Sequence, residues 1–254
     1  MVSSTGSLYN AKNPDSTGIG GRGLSDSLIG IEMTKDTSEE RGITVQRVID
    51  AYRKIPKVIR STENRDEIEL AVPLHYLLLL AAVESSMRTY VKAKWSSALG
   101  LYQFLDGTWE SLVDKYRPHL DYISNVNIDE KEFSLPFKWS SVRIENTLGL
   151  RTNTTWSTII ALLFTNEHRL SLGTNNYGVL YLAHFLGLGK ARKVLTGDEQ
   201  SLISVDTGWG RQIKANPFMD NMTYRDLLNW SSRKILSNEQ WLDRQLKILG
   251  ESLS

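Results

Sequence analysis

The chain has no cysteine, which excludes disulfide staples and thiolate metal sites and leaves its redox compartment open. Histidine is scarce. His75, His119, His168 and His184 form neither an i,i+4 pair nor a His-Glu-x-x-His pattern, so a zinc peptidase is not expected, and neither is any metal or cofactor. Neither sign of charge is in excess: the formal net charge is +1, which argues against a broad nucleic-acid-binding surface. The longest apolar run, residues 71–83, is too short to span a bilayer and is interrupted by Pro73 and His75, so membrane insertion is not expected. The first seven residues, Met1-Val2-Ser3-Ser4-Thr5-Gly6-Ser7, lack the basic and apolar regions of a secretory signal. These absences lead to the expectation of a protein made in a cytoplasm without a signal peptide. Its composition, 41% hydrophobic and 23% charged, is ordinary for a globular domain with a sizeable core.

What is present is organised around residues 73–109. Leu77-Leu78-Leu79-Leu80-Ala81-Ala82-Val83 is apolar on every helical face, and a helix of that kind must be buried on every face. Pro73 suits the first turn, where its missing N–H costs nothing. Glu84 follows directly, near the C-terminal end of the helix. Burial and the negative end of the helix dipole both disfavour its ionised form and raise its pKa, as a general acid requires. The competing reading is a helix-end carboxylate that reaches solvent or pairs with Arg88. Residues 96–104 then give a loop signal around Gly100, with Gln103 among aromatics. Asp106 or Thr108 is placed to cap a helix beginning near Trp109.

In chain order, residues 1–40 are rich in Gly, Ser, Thr and Asp and are expected to form a flexible polar arm. Its Gly18-x-Gly20-x-x-Gly23 follows no strand and is read as accidental. From Ile43 the pattern is helical, with Val45, Val48, Ile49 and Tyr52 on one face and Pro56 as a stop. Residues 60–69 read as a charged connector. The helix from Trp109 is expected to fail by Pro118, and residues 118–150 to be irregular, flanking a binding groove. Residues 155–170 are helical, with Trp156, Ile159, Ile160, Leu163 and Phe164 inward and Glu167 and His168 solvated. Residues 175–186 and 190–195 give two further helices, the second ended by Gly197. Thr223-x-x-Asp226 and Ser237-x-x-Gln240 read as capping boxes. No run of alternating strands occurs, so the fold class is mainly α. The expected units are a core domain over 41–200 and C-terminal helices over 201–254 packed on it.

Three blocks in order carry a resemblance. Glu84-Ser85-Ser86, then Ser97-Ala98-Leu99-Gly100-Leu101-Tyr102-Gln103-Phe104 with Gly107-Thr108-Trp109, then Tyr181-Leu182-Ala183-His184-Phe185-Leu186-Gly187-Leu188-Gly189-Lys190-Ala191-Arg192 resemble the motifs of the lysozyme-like lytic transglycosylases. The likeness is greatest to endolysins of large bacteriophages and covers roughly residues 60–200. It implies a lysozyme-like (goose-type) helical domain that cleaves the MurNAc–GlcNAc β-1,4 bond of peptidoglycan. Glu84 is the implied catalytic acid, leaving a 1,6-anhydro-MurNAc end. Ser97, Gly100, Tyr102, Gln103, Phe104, Tyr181 and His184 are the implied substrate-binding residues.

In the third block His184 stands where the family has a cleft tyrosine, and Phe185 where it has Asn. A histidine there is expected to titrate near neutrality and to bond a sugar or Glu84, or else to be a satisfied core residue. Tyr102, Phe104 and Tyr181 read equally as sugar-stacking rings or as core. The matched blocks contain one carboxylate at the expected acid position, whereas glycosidases commonly use two. The alternatives are a hydrolytic muramidase of the same fold, with Asp106, Glu145 or Glu167 as second carboxylate, and a structural virion protein. The expected partners are peptidoglycan glycan strands and, through the arm, virion proteins. The expected site of action is the periplasm or cell wall, reached as a released endolysin or in the virion.

Overall fold

A computed structural model describes residues 38–127, 129–205 and 208–252; nearly all of the expected N-terminal arm lies outside the described residues. The molecule is mainly helical. Helix α1 (Ser38–Lys54) leads through a two-stranded antiparallel ribbon, β1 (Val58–Arg60) and β2 (Glu67–Glu69), into α2 (Leu74–Ser85). Next come α3 (Asp106–Val126), 3₁₀ turns at Lys131–Phe133 and Ile144–Thr152, and α4 (Thr154–Leu172). The chain ends through α5 (Tyr177–Leu186), α6 (Leu188–Thr196), α7 (Gly210–Ala215), α8 (Tyr224–Ile235) and α9 (Glu239–Leu249). No helix among the described residues is long and apolar enough to cross a membrane.

Helix α2 is the axis of the main core. Leu77, Leu78, Leu79, Leu80 and Ala81 are fully buried, and each leucine contributes about 1.5–3 kcal/mol relative to exposure. Around α2 pack α1, through Val45, Val48 and Ile49, and α4, through Trp156, Ile159 and Ile160. Helices α8 and α9 close the remaining side. A second apolar cluster joins the end of α5 to α6, Trp209, Tyr224 and Leu227, and Trp230 packs against both clusters.

The end of α2 is sharply defined. Ser86 (φ 55°) and Met87 (φ 63°) are both left-handed, and their N–H groups return to the Ala82 and Ala81 carbonyls at 3.0 and 3.4 Å. Two left-handed residues in succession thus stop the helix without glycine, with returns one residue wider than those of a Schellman motif.

Four local expectations are corrected. Residues 60–69 are not a plain connector but carry one strand of a ribbon: Ile59 pairs with Ile68, and the three-residue strands are too short to show an alternation. Pro118 does not end α3. The carbonyl it leaves without a helical partner belongs to solvent-facing Asp114, where water can satisfy it, so the helix continues to Val126. Asp106 and Thr108 do not cap α3; Leu105 holds the cap position and Asp106 is the first helical residue. Ser237 forms no capping box, its hydroxyl donating instead to the Lys234 carbonyl at 2.8 Å, whereas the Thr223–Asp226 box forms in full. The segment after α3 is fastened to the core: the Asp121 carboxylate accepts from the N–H groups of Trp139 (2.7 Å) and Ser140 (3.0 Å), and Phe133 packs edge-on against Trp156.

Candidate active site

Glu84 occupies the last full turn of α2 and is 3% exposed. Loss of hydration on burial raises its pKa to about 7; Lys234 of α8 and a hydrogen bond from the Tyr181 hydroxyl of α5 act in the opposite direction. Oxygen Oε2 of Glu84 and the hydroxyl of Tyr76, eight residues earlier on α2, are both buried and lack a hydrogen-bond partner among the described residues. The cation acting on the carboxyl is thus Lys234. Arg88, the partner that spacing suggested, turns its Nε to the Ser85 carbonyl at 2.9 Å. The solvent reading of Glu84 fails on its burial. Tyr181, read from sequence as a ring to stack on sugar or fill the core, is a hydrogen-bond donor to the carboxyl, with its ring stacked on Phe185 and tilted against Trp230.

One turn further along α5, His184 faces the second motif block. Its ring lies 6.0 Å from Phe104 and 5.9 Å from Phe164, and it donates to the Tyr102 carbonyl. Burial pushes its pKa down to about 4, so the expectation of titration near neutrality is corrected: His184 is neutral at pH 7. Beside it His168, expected in solvent, is 2% exposed, with its ring 4.1 Å from Phe164. Its pKa falls to about 3, first by burial and then through His184 and Lys115. Glu167 is held by Lys115 (2.8 Å) and the Tyr116 hydroxyl (3.0 Å).

The remaining predicted residues build the loop rather than offer side chains to a ligand. Residues 91–100 form a short hairpin, with Ala93 N–H donating to the Ala98 carbonyl and Gly100 N–H to the Val91 carbonyl, both at 2.9 Å. Gln103, left-handed at φ 51°, donates its amide to the carbonyls of Val91 (2.9 Å) and Gly100 (2.8 Å) and so locks the hairpin base; its Oε1 is buried without a partner among the described residues. Ser97 Oγ accepts from the Asp106 N–H at 3.1 Å. Tyr102 is fully buried with its hydroxyl 3.3 Å from that of Thr158, and Phe104 packs on Trp109 and Phe164. Both are core, so the sugar-stacking reading falls for them. Gly100, expected to let a glycan approach, instead meets the protein's own backbone: its φ is +81° and an added Cβ would sit 1.9 Å from the Arg151 carbonyl oxygen.

Sequence reasoning missed Arg151, Lys234 and Tyr76. Arg151 is buried, and its Nη1 reaches the carbonyls of Ser97 (2.8 Å) and Phe104 (3.0 Å) and the Asp106 carboxylate (2.6 Å). It clamps both ends of the motif loop. It lies in a stretch with no helical period, where no pattern marks an inward arginine. Lys234 follows Arg233 on an amphipathic helix and looks like any solvated cation.

No group of three or more His, Asp or Glu residues suited to a metal occurs among the described residues. A cavity of about 530 Å³ opens between α1 and α9, lined by Ile43, Gln46, Ile248 and Leu249, and includes none of the predicted site residues. No family model matches the chain.

Proposed function

We propose that the protein is a lysozyme-like peptidoglycan lytic transglycosylase of phage type with Glu84 as its catalytic acid, acting as a released endolysin or a virion component. The observation that carries this reading is the meeting of the first and third motif blocks at one carboxyl: Tyr181 donates to a buried Glu84 whose pKa lies near 7. A carboxyl in that range is about half protonated at neutral pH and can release its proton to a leaving glycosidic oxygen.

The other carboxylates considered for activating water do not stand free beside Glu84. Asp106 is paired with Arg151, Glu167 with Lys115 and Tyr116, and Glu145 is exposed beside Arg143 at 3.9 Å. This supports a one-carboxylate mechanism: Glu84 first donates its proton, then as carboxylate takes a proton from the muramyl 6-hydroxyl. That hydroxyl is tethered to the reacting ring, and tethering supplies much of what a second base would otherwise give. The product end is 1,6-anhydro-MurNAc, lighter by one water than a reducing end.

The test is mass spectrometry of digested sacculi with and without borohydride. Anhydro ends absent from a Glu84→Gln digest are expected. Reducible ends would make the enzyme a muramidase, and undigested sacculi would remove the catalytic reading altogether.

A further inference from the structure

The hairpin of residues 91–100 leaves two large aromatic side chains in solvent. Tyr90 at its base is 81% exposed and Trp95 at its tip is 74% exposed. Leaving a tryptophan in water forgoes one of the largest burial gains open to any side chain. Single exposed apolar residues are ordinary; here two aromatics lie within six residues, on a support that is rigidly built. The ladder of the hairpin, the Gln103 amide across its base and Arg151 on the Ser97 carbonyl fix its direction. Tyr90, Lys92 and Lys94 are all three exposed. Lys94 holds its ammonium 4.6 Å from the Trp95 ring centre. Between Ser85 and Leu105 there are three cations, Arg88, Lys92 and Lys94, and no acidic residue. This surface starts five residues beyond the Glu84 helix, because Ser86 and Met87 turn the chain straight out of α2 into it.

We infer that this hairpin is a binding platform for an anionic amino-sugar polymer, gripping the glycan strand beyond the bond that is cut. The inference rests on the reading of Glu84 as a peptidoglycan-cleaving acid. Flat aromatic rings match the C–H faces of pyranose rings, which are apolar patches on an otherwise polar polymer. The lysines match the free carboxylates of the stem peptides that such a strand carries, an attraction that salt weakens. A lipid surface also draws tryptophan and lysine together, but two rings on one hairpin offer far less apolar area than the long face of an interfacial helix. The glycan is therefore the committed occupant.

The test uses the full chain carrying Glu84→Gln, so that binding is read without cleavage. Sedimentation is measured with purified sacculi, with chitin as an uncharged amino-sugar polymer, and with phosphatidylglycerol–phosphatidylethanolamine vesicles. Adding Trp95→Ala or Tyr90→Ala is expected to weaken binding to sacculi and to chitin about tenfold each. Lys92→Gln with Lys94→Gln is expected to weaken binding to sacculi at low salt and to leave chitin unaffected. Unchanged melting temperatures establish that each variant is folded. Sedimentation with sacculi that the aromatic substitutions leave unchanged, no binding of the Glu84→Gln chain to sacculi, or a loss confined to vesicles each overturns the platform. Cleavage of sacculi by the wild-type chain is scored separately: its failure sinks the catalytic reading, while the hairpin stands or falls on sedimentation alone.

Discussion

The carbonyl oxygen of Arg151 stands 1.9 Å from where a Cβ on Gly100 would be, closer than any non-bonded pair of such atoms can come. Gly100 is needed for this contact and for its φ of +81°. Gly100→Ala is therefore expected to destabilise the fold by about 3 kcal/mol or more, with a clear drop in thermal midpoint and poor expression. An alanine variant that melts like wild type and loses only glycan affinity would show that the glycine serves the ligand.

Glu84 leaves a signature in stability as well as chemistry. Its folded pKa of about 7 exceeds the ordinary 4.5, so between those values the folded chain holds a proton that the unfolded chain has released. Stability from this group accordingly falls as pH rises from 4.5 to 7 and is flat above, by about 3 kcal/mol in all. Glu84→Gln removes that slope. Its melting temperature relative to wild type is expected to climb between pH 4.5 and 7.

Tyr181 and Lys234 both favour the ionised carboxylate, so Tyr181→Phe or Lys234→Gln is expected to raise the Glu84 pKa, by about one unit for the lost hydroxyl. Carboxyl titration by ¹³C NMR checks this directly. In a pH–rate profile on sacculi, the alkaline limb, where the acid loses its proton, should move upward in both variants. A downward movement would mean that these groups stabilise the protonated form.

Buried His168 works in the opposite sense to Glu84. Its folded pKa of about 3 lies below the ordinary 6.5, so as pH falls through that interval the unfolded chain takes up a proton the folded chain refuses. Stability is lost on acidification. In His168→Leu the fall in melting temperature from pH 6.5 to 4 should be shallower than in wild type, whatever the variant's starting stability.

Long, strongly patterned elements were legible from sequence: the apolar run that makes α2, the inward face of α1, and the Thr223 cap of α8. The position of Glu84 at a buried helix end followed from the same run. What sequence could not show is which way a side chain turns once several partners compete for it. Tyr102 and Tyr181 are both tyrosines in apolar surroundings, yet one bonds Thr158 inside the core and the other reaches the carboxyl. Gln103 has the composition of a ligand-binding residue and spends its amide on the hairpin, because backbone carbonyls three and twelve residues away lie within its reach. Pro118 was misjudged because the cost of a proline in a helix depends on whether the orphaned carbonyl meets water.

The left-handed pair Ser86 and Met87 makes the protein modular at an unexpected place. Each residue carries about 1–2 kcal/mol of local strain, and together they sever the register of α2 from everything that follows. Where the carboxyl stands is set upstream, by leucines already locked in the core. Insertions, deletions or wholesale exchange of the next dozen residues can then redraw the outward hairpin without shifting Glu84. On the reading of Glu84 as the acid, ligand preference could be rewritten by grafting while the carboxyl stays in place.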